Sequence, residues 1–102
     1  MMGSRTPAAA AGRITDAQLR ALVAVAEEGS HTRAARRLGI TQSAVSHAIT
    51  ALERILGQAL IERSASGVRP TAAGTRALPH AREILRLKAA LVRDAAAEAP
   101  GV

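Results

Sequence analysis

The 102-residue sequence contains no cysteine and no aromatic residue. Without cysteine, the chain has no disulfide framework, no thiolate metal site and no cysteine nucleophile. Without phenylalanine, tyrosine or tryptophan, it lacks the flat rings on which proteins stack the bases of single-stranded nucleic acids. No apolar run approaches the roughly 20 residues that span a bilayer, so we expect no membrane segment.

Groups for catalysis and metal binding are missing as well. The sequence shows no nucleophile–base pair, no paired carboxylates and no phosphate-binding loop, and a chain of this length buries only a modest core. The three histidines, His31, His47 and His80, do not have the spacing of metal ligands. We therefore expect no enzyme activity, no metal and no cofactor.

Positive charge is what the sequence has in excess. The net charge is +6, and thirteen of the fourteen basic residues are arginine, which makes bidentate contacts with phosphate and guanine. Residues 31–69 hold six arginines against two glutamates, a net of +4, whereas residues 13–28 have a net of −1. GC-rich codon bias is the alternative explanation of the arginine excess alone, because bulk charge is weak information about function. The uneven distribution predicts a basic surface in the middle of the chain.

Capping residues and glycines divide residues 13–57 into three predicted helices. A helix begins where a serine or threonine side chain can accept a backbone N–H, and it often ends at a glycine. The predicted N-caps of the three helices are Thr15, Ser30 and Thr41. The glycines predicted to end the same helices are, in order, Gly29, Gly39 and Gly57. Ile40, in the tight turn between the second and third helices, is expected to be a core residue.

The third helix, from about residue 42 to residue 56, has two distinct faces. At about 100° per residue, its large apolar side chains form one stripe: Val45, Ile49, Leu52 and Leu56. Small polar side chains and one cation lie on the opposite side: Ser43, Ser46, His47, Thr50 and Arg54. Two helices joined by a tight turn, with small polar groups on the outer face of the second, are typical of a DNA-reading arrangement.

Residues 60–70 predict a two-stranded wing. Residues 60–63 form the first strand, residues 64–67 are turn residues, and Val68 and Arg69 return as a second strand. Pro70 cannot donate to a ladder, so we expect the second strand to be short and to lie at an edge.

A long fourth helix follows the N-cap Thr71. Its apolar residues recur at helical spacing over residues 77–95, a stripe too long for the core of so short a chain. We therefore expect dimerisation through Leu78, Ile84, Leu85, Leu91 and Val92. Pro79 lies inside this helix and is expected to cause a kink or a late start.

These elements predict a mainly α fold: a winged helix-turn-helix with a three-helix core, a two-stranded wing and a long C-terminal linker helix. We expect residues 1–12 to be a disordered leader and residues 13–70 to be the winged helix-turn-helix. Residues 71–97 are the predicted linker and dimerisation helix, and residues 98–102 are a tail.

The ordered motifs of residues 14–95 resemble the N-terminal DNA-binding domain of LysR-type bacterial transcription regulators. The family pattern is a first helix ending in EEGS, then TRAA, a leucine, Q-S/P-A-x-S, LE, LG, ER and TxAG. The sequence matches it without a gap at residues 27–30, 32–35, 38, 42–46, 52–53, 56–57, 62–63 and 71–74. The resemblance implies sequence-specific binding of double-stranded DNA in transcription regulation.

The resemblance and the predicted faces together suggest roles for single residues. Base readout in the major groove is expected of Gln42, Ser43, Ser46 and His47. Contacts with the DNA backbone are expected of Ser30, Thr32, Arg33, Arg36, Thr41, Thr50, Arg54 and Arg63. For Arg63, an ion pair with Glu53 or Glu62 is the alternative. Many family members have an arginine where this sequence has Ser66 at the wing tip, so either Arg69 substitutes for it or the wing binds more weakly.

The expected partner is a duplex with an interrupted inverted repeat, bound in the cytoplasm, in association with the nucleoid, by a homodimer. The family's large effector domain is not within these 102 residues, so we expect this segment to bind no effector ligand. The sequence leaves open whether the chain is an excised fragment or a naturally short protein. Two other functions also remain open from the sequence. One is the similar winged-helix domain of molybdate regulators, and the other is a helical dimerisation module without specific DNA readout.

Overall fold

A computed structural model describes residues 6–97 of the chain. In chain order, its elements are α1 (Pro7–Ala11), α2 (Asp16–Glu28), α3 (His31–Leu38), α4 (Gln42–Leu56), β1 (Ile61–Ser64), β2 (Gly67–Pro70) and α5 (Ala72–Ala97). The three helices α2, α3 and α4, the two-stranded sheet and the long last helix confirm the predicted mainly α winged helix-turn-helix.

Helix α1 lies in the segment for which the sequence predicts disorder, and that prediction does not hold for Pro7–Ala11. The Thr6 hydroxyl accepts the N–H of Ala9 at 3.1 Å, and the proline at the first helical position already has a helical φ. The alanines that follow have the highest helix propensity of all residues. The rest of the predicted leader, residues 1–5, and the predicted tail, residues 98–102, lie outside the described residues.

The N-caps predicted from the sequence are confirmed. Thr15 and Gln18 form the complete capping box, because each side chain accepts the backbone N–H of the other residue. Hydroxyl groups begin the next three long helices in a similar way, at Ser30, Thr41 and Thr71. Gly39 has a φ of 70°, which lets α3 end and α4 begin within three residues.

Helix α2 is the centre of the core and contacts α3, α4 and α5. One face packs with the end of α4, the start of the wing and the first half of α5, in a cluster that contains Leu22, Leu52 and Leu60. The other face packs with α3 and the start of α4, in a cluster rich in small residues: Ala21, Ala24, Val25, Ala34, Ala35, Val45 and Ile49. The alanines allow α2 and α3 to approach closely.

Two apolar residues predicted to face the core are exposed instead. Ile40 is 45% exposed, because it lies in the turn and borders a shallow groove between α2 and the end of α3. Leu56 is 39% exposed at the last turn of α4, although the rest of its stripe is buried. The prediction for Ile40 is therefore wrong, and the prediction for α4 holds for Val45, Ile49 and Leu52.

The wing is an antiparallel pair of strands in which Ile61 is opposite Pro70 and Ser64 is opposite Gly67. Its strands begin one residue later than predicted in β1 and one residue earlier in β2. The wing is joined to the α2–α3 turn by a contact next to the turn between its own strands, where the Val68 N–H donates to the carbonyl of Gly29 at 3.2 Å. A Cβ atom at Gly67 would overlap that carbonyl oxygen, so a side chain there is not compatible with this contact.

Helix α5 runs unbroken through Pro79, and its N-cap Thr71 confirms the predicted start without a delay. A Cβ atom at Gly74 would overlap the carbonyl oxygen of Leu60, so the missing side chain lets α5 pack directly on the end of the α4–β1 loop. No helix within residues 6–97 is long and apolar enough to cross a membrane.

Candidate nucleic-acid interface

The outer face of α4 carries the polar residues predicted for base readout. Val45 and Ile49 on the inner face are 0% and 3% exposed, which orients the helix. The opposite side is open to solvent apart from the half-buried Ser46, and it carries Ser43, His47, Thr50 and Arg54, whereas Gln42 is exposed as the first residue of the helix. The structure therefore brings the predicted readout residues together on one exposed helix face.

A cleft of about 490 Å³ opens between the start of α3, the start of α4 and the wing. Six residues predicted to contact DNA border it: Ser30, Thr32, Arg33, Gln42, Arg63 and Ser66. The cleft thus places the wing beside the two helix starts, so that one surface contains predicted groove and backbone contacts.

Hydroxyl groups at the two helix starts serve as caps. Ser30 Oγ accepts the N–H of Arg33 at 3.1 Å, and Thr41 Oγ1 accepts the N–H of Ala44 at 3.0 Å. Each hydroxyl keeps its own proton, which can be donated to a phosphate oxygen while the cap remains in place.

Some arginines of the basic region form ion pairs with carboxylates of α2. Arg37 lies 2.8 Å from Glu27 and 3.3 Å from Glu28, and the hydrogen bond from Arg37 is the main cause that lowers the pKa of Glu27. Arg33 donates to the Glu28 carbonyl at 2.5 Å and lies 3.9 Å from its carboxylate. Arg82 of α5 also reaches Glu27, at 3.2 Å.

The wing contains a further ion pair. Arg69 Nε donates to Glu62 at 3.0 Å across the two strands, so Arg69 is not the free cation that a substitute for the wing-tip arginine would be. Glu53 accepts the backbone N–H groups of Leu60 and Ile61. Both glutamates named as alternative partners of Arg63 therefore have other partners.

Three arginines of the basic region have no carboxylate within 4.0 Å among the residues that the structure describes. They are Arg36, Arg54 and Arg63. All three residues are exposed: Arg36 is on α3, Arg54 is on the outer face of α4, and Arg63 is on the wing, where it borders the cleft. These arginines can therefore bind phosphate without first breaking an ion pair within residues 6–97.

The predicted dimerisation set on α5 is divided by the structure. Leu78 is 6% exposed and belongs to the core, so its assignment to a dimer surface is wrong. Leu85 is half-buried against the core, whereas the remaining three, Ile84, Leu91 and Val92, are 41%, 68% and 68% exposed.

Leu87, which is 52% exposed, was not among the predicted dimerisation residues. It lies three residues after Ile84 and four before Leu91, so the helical spacing of the apolar stripe was the signal that could have found it.

A three-helix core, a tight turn before an outward-facing polar helix and a wing beside a basic cleft define a winged-helix DNA-binding domain. Residues 17–75, more than half of the chain, match the sequence profile of the bacterial regulatory helix-turn-helix proteins of the lysR family. The chain belongs to this family. Its members are transcription regulators, and the match decides for this family against the molybdate regulators.

Curated relatives have similar sequences over most of the chain. The small neutral protease regulatory protein of Streptomyces coelicolor is 47% identical over 83 residues, which are 81% of this chain and 25% of that protein. The transcriptional regulator ClcR of Pseudomonas putida is 51% identical over 70 residues, 69% of this chain and 24% of that protein. The chain thus spans about a quarter of the length of these relatives.

Solved structures share the fold as well. A DNA complex of the CbnR DNA-binding domain has a TM-score of 0.78 and 40% identity, covering 84% of this chain and 99% of that chain. The BenM DNA-binding domain on catB site 1 DNA has a TM-score of 0.81 and 35% identity, covering 86% and 99%. Because the chain covers these two domains almost entirely, it is the DNA-binding domain of a LysR-type regulator.

Proposed function

We propose that the chain selects a particular duplex sequence by placing the outer face of α4 in the major groove. The observation that carries this proposal is the polar group of Gln42, Ser43, Ser46 and His47, of which only Ser46 is half-buried, on a helix whose apolar stripe is almost fully buried. Amide, hydroxyl and imidazole groups can donate and accept hydrogen bonds, as the edges of the bases require.

The backbone contacts in this proposal come from residues of α3, α4 and the wing and from the caps of the two helices. Arg36, Arg54 and Arg63 supply charge without first having to break an ion pair, whereas Arg33 is partly held by Glu28. The hydroxyl groups predicted to donate to phosphate oxygens are those of Ser30, Thr41 and Thr50. Exposed Ser66 gives the wing tip a short polar side chain, and Arg69 is held by Glu62, so we expect a weak contribution from the wing.

Selection of bound sequences from a random duplex pool tests this proposal, with single variants separating readout from anchoring. Ser46→Ala and His47→Ala should each reduce the preference for the selected sequence over random DNA, by about 1–3 kcal/mol where the side chain makes a good base contact. Arg36→Ala, the control for a backbone contact, should weaken all duplexes alike. If His47→Ala lowers specific and random binding by the same factor, α4 does not read bases through His47.

We further propose that two copies of the chain form a homodimer through the outer half of α5, residues 84–97. This homodimer would bind an interrupted inverted repeat in chromosomal DNA in the cytoplasm. The support is the group of exposed apolar side chains on this half: Ile84, Leu87, Leu91 and Val92. Burying them against a two-fold mate removes apolar area from water at about 25 cal/mol per Å². Two-fold symmetry would then present two recognition helices to major grooves roughly 34 Å apart or at a multiple of that spacing.

Sedimentation at micromolar concentration tests the dimer. The chain should sediment as a dimer, and the double variant Leu91→Glu with Val92→Glu should sediment as a monomer because it would bury charge at the interface. Arg93→Glu, which adds negative charge on the other side of the same helix, is the matched control and should stay dimeric. Sedimentation of the unchanged chain as a monomer, both alone and on a duplex with two half-sites, would contradict the proposal.

A further inference from the structure

One side-chain hydrogen bond joins the two helices on either side of the turn. Thr32 is the second residue of α3, Gln42 is the first residue of α4, and the Thr32 hydroxyl donates to Oε1 of Gln42 at 3.0 Å. Both residues are exposed and border the cleft beside the wing. Within residues 6–97, Thr32 is the only hydrogen-bond partner of the Gln42 side chain.

We propose that Thr32 is a positioning residue that fixes the Gln42 amide, so that Gln42 presents its Nε2 donors to guanine. This inference rests on the proposed function, because it assumes that the outer face of α4 lies in the major groove. It replaces the backbone contact that the sequence predicts for Thr32. The hydroxyl has a single proton, and once that proton is donated to Gln42, only acceptor lone pairs remain, which do not bind a phosphate oxygen.

The first reason for the proposal is conformational. A glutamine at an exposed helix start has three rotatable side-chain bonds, and ordering such a side chain at an interface costs about 0.5–1.5 kcal/mol. The bond from Thr32 orders the amide before DNA arrives. Thr32 itself is restricted at χ1 because it is β-branched, so it is a stiff support for the amide.

The second reason is the direction of the hydrogen bond. Glutamine reads adenine in a bidentate manner, with Oε1 accepting from N6 and Nε2 donating to N7. In this structure one lone pair of Oε1 accepts from Thr32, whereas neither N–H group of Nε2 has a partner among residues 6–97, so two donors and one acceptor position of the amide remain for a base. Guanine presents two acceptors, N7 and O6, at the major-groove edge. The arrangement therefore favours guanine over adenine at the base pair that Gln42 meets.

The test is selection from a random duplex pool with the full 102-residue chain and four variants: Thr32→Val, Thr32→Ser, Gln42→Ala and the double variant Thr32→Val with Gln42→Ala. Thr32→Val keeps the shape and branching of the side chain and removes the hydroxyl, whereas Thr32→Ser keeps the hydroxyl. Far-UV circular dichroism of each variant confirms folding. Affinities for the selected duplex and for its single-base variants are then measured by fluorescence anisotropy.

We expect the position whose preference is lost in Gln42→Ala to be guanine in the sequence selected by the unchanged chain. Thr32→Val should lower discrimination at that one position about tenfold, within the range for a good base contact. Thr32→Ser should retain the discrimination, and the double variant should discriminate no less than Gln42→Ala alone, because both changes remove the same contact.

Three results would overturn the inference while leaving the proposed function intact. Thr32→Val could discriminate as well as the unchanged chain, or it could weaken selected and random duplexes by the same factor, as a phosphate contact does. The base lost in Gln42→Ala could also be adenine. If the unchanged chain enriches no sequence at all, the proposed function itself is wrong, and the inference falls with it.

Discussion

Helix α4 and the outer half of α5 have similar apolar stripes but different surroundings. Leu52 on α4 is 1% exposed, whereas Leu91 on α5 is 68% exposed. The helix α2 lies against the inner faces of both α4 and the first half of α5. At 1.5 Å per residue, the 13 residues of α2 extend about 20 Å and the 26 residues of α5 about 39 Å. Helix α5 is therefore too long for α2 to cover, and its outer half keeps an exposed apolar surface.

The largest expected effect sharpens this comparison with the same substitution on each helix. Leu52→Ala should lower the free energy of unfolding by about 2–5 kcal/mol, because it removes buried methyl groups and leaves a cavity. Leu91→Ala should change it by less than about 0.5 kcal/mol at protein concentrations low enough to keep the chain monomeric. Urea unfolding followed by circular dichroism gives both values. Equal losses from the two changes would mean that α5 is packed within the monomer along its whole length.

The sequence predicts the elements well because their signals are local. The capping box at Thr15 and Gln18, the glycine at the turn and the periodicity of α4 each act within a few residues, and all are present in the structure. Ile40 shows the limit, because a single residue in a turn has no period from which its orientation can be predicted.

What the sequence could not show are contacts between distant elements. Leu78 fits the apolar stripe of α5, but its burial depends on the close approach of α5 to Leu60 at Gly74. The bond from Thr32 to Gln42 likewise depends on how α3 and α4 are placed around the turn. Periodicity identifies an apolar or polar face without identifying the neighbour that it meets.

An intermediate effect is expected at the junction of α4 and the wing. Glu53 accepts the N–H groups of Leu60 at 2.8 Å and of Ile61 at 3.4 Å. Glu53→Ala should lower the free energy of unfolding by about 1–3 kcal/mol, because it leaves the N–H of the buried Leu60 without an acceptor. Glu62→Ala is the matched control, since Glu62 takes part only in an exposed ion pair, and it should cost at most about 1 kcal/mol. Similar losses from the two changes would show that Glu53 is only a surface residue.

The smallest effect is expected from the ion pairs that join α3 and α5 to α2. Hydrogen bonds from Lys88 and Arg37 are the main causes that lower the pKa values of Asp16 and Glu27, respectively. Their stabilising contribution is therefore complete above the ordinary values of 3.8 and 4.5 and is lost as the pH falls through the lowered values. Glu27→Gln should reduce this acid-induced loss by at most about 1 kcal/mol, because the pair is exposed.

Urea unfolding of the unchanged chain and of Glu27→Gln between pH 7 and pH 3 measures this effect. Added salt should reduce the difference between the two chains at neutral pH, since it screens exposed charges. A difference that grows as the pH falls would have the opposite sign to that expected for a carboxyl group with a lowered pKa, and would exclude these ion pairs as its source.

The central claim, that a basic surface anchors the duplex while the outer face of α4 selects its sequence, is tested most directly by one equilibrium titration. The affinity of the chain for a selected duplex and for the same bases in scrambled order is measured over a series of salt concentrations. Both affinities should fall steeply with salt, with a logarithmic slope of about −0.9 for each phosphate neutralised, and the selected duplex should stay at least about 10³-fold tighter. Equal affinity for the two duplexes, or an affinity that does not change with salt, would contradict the account.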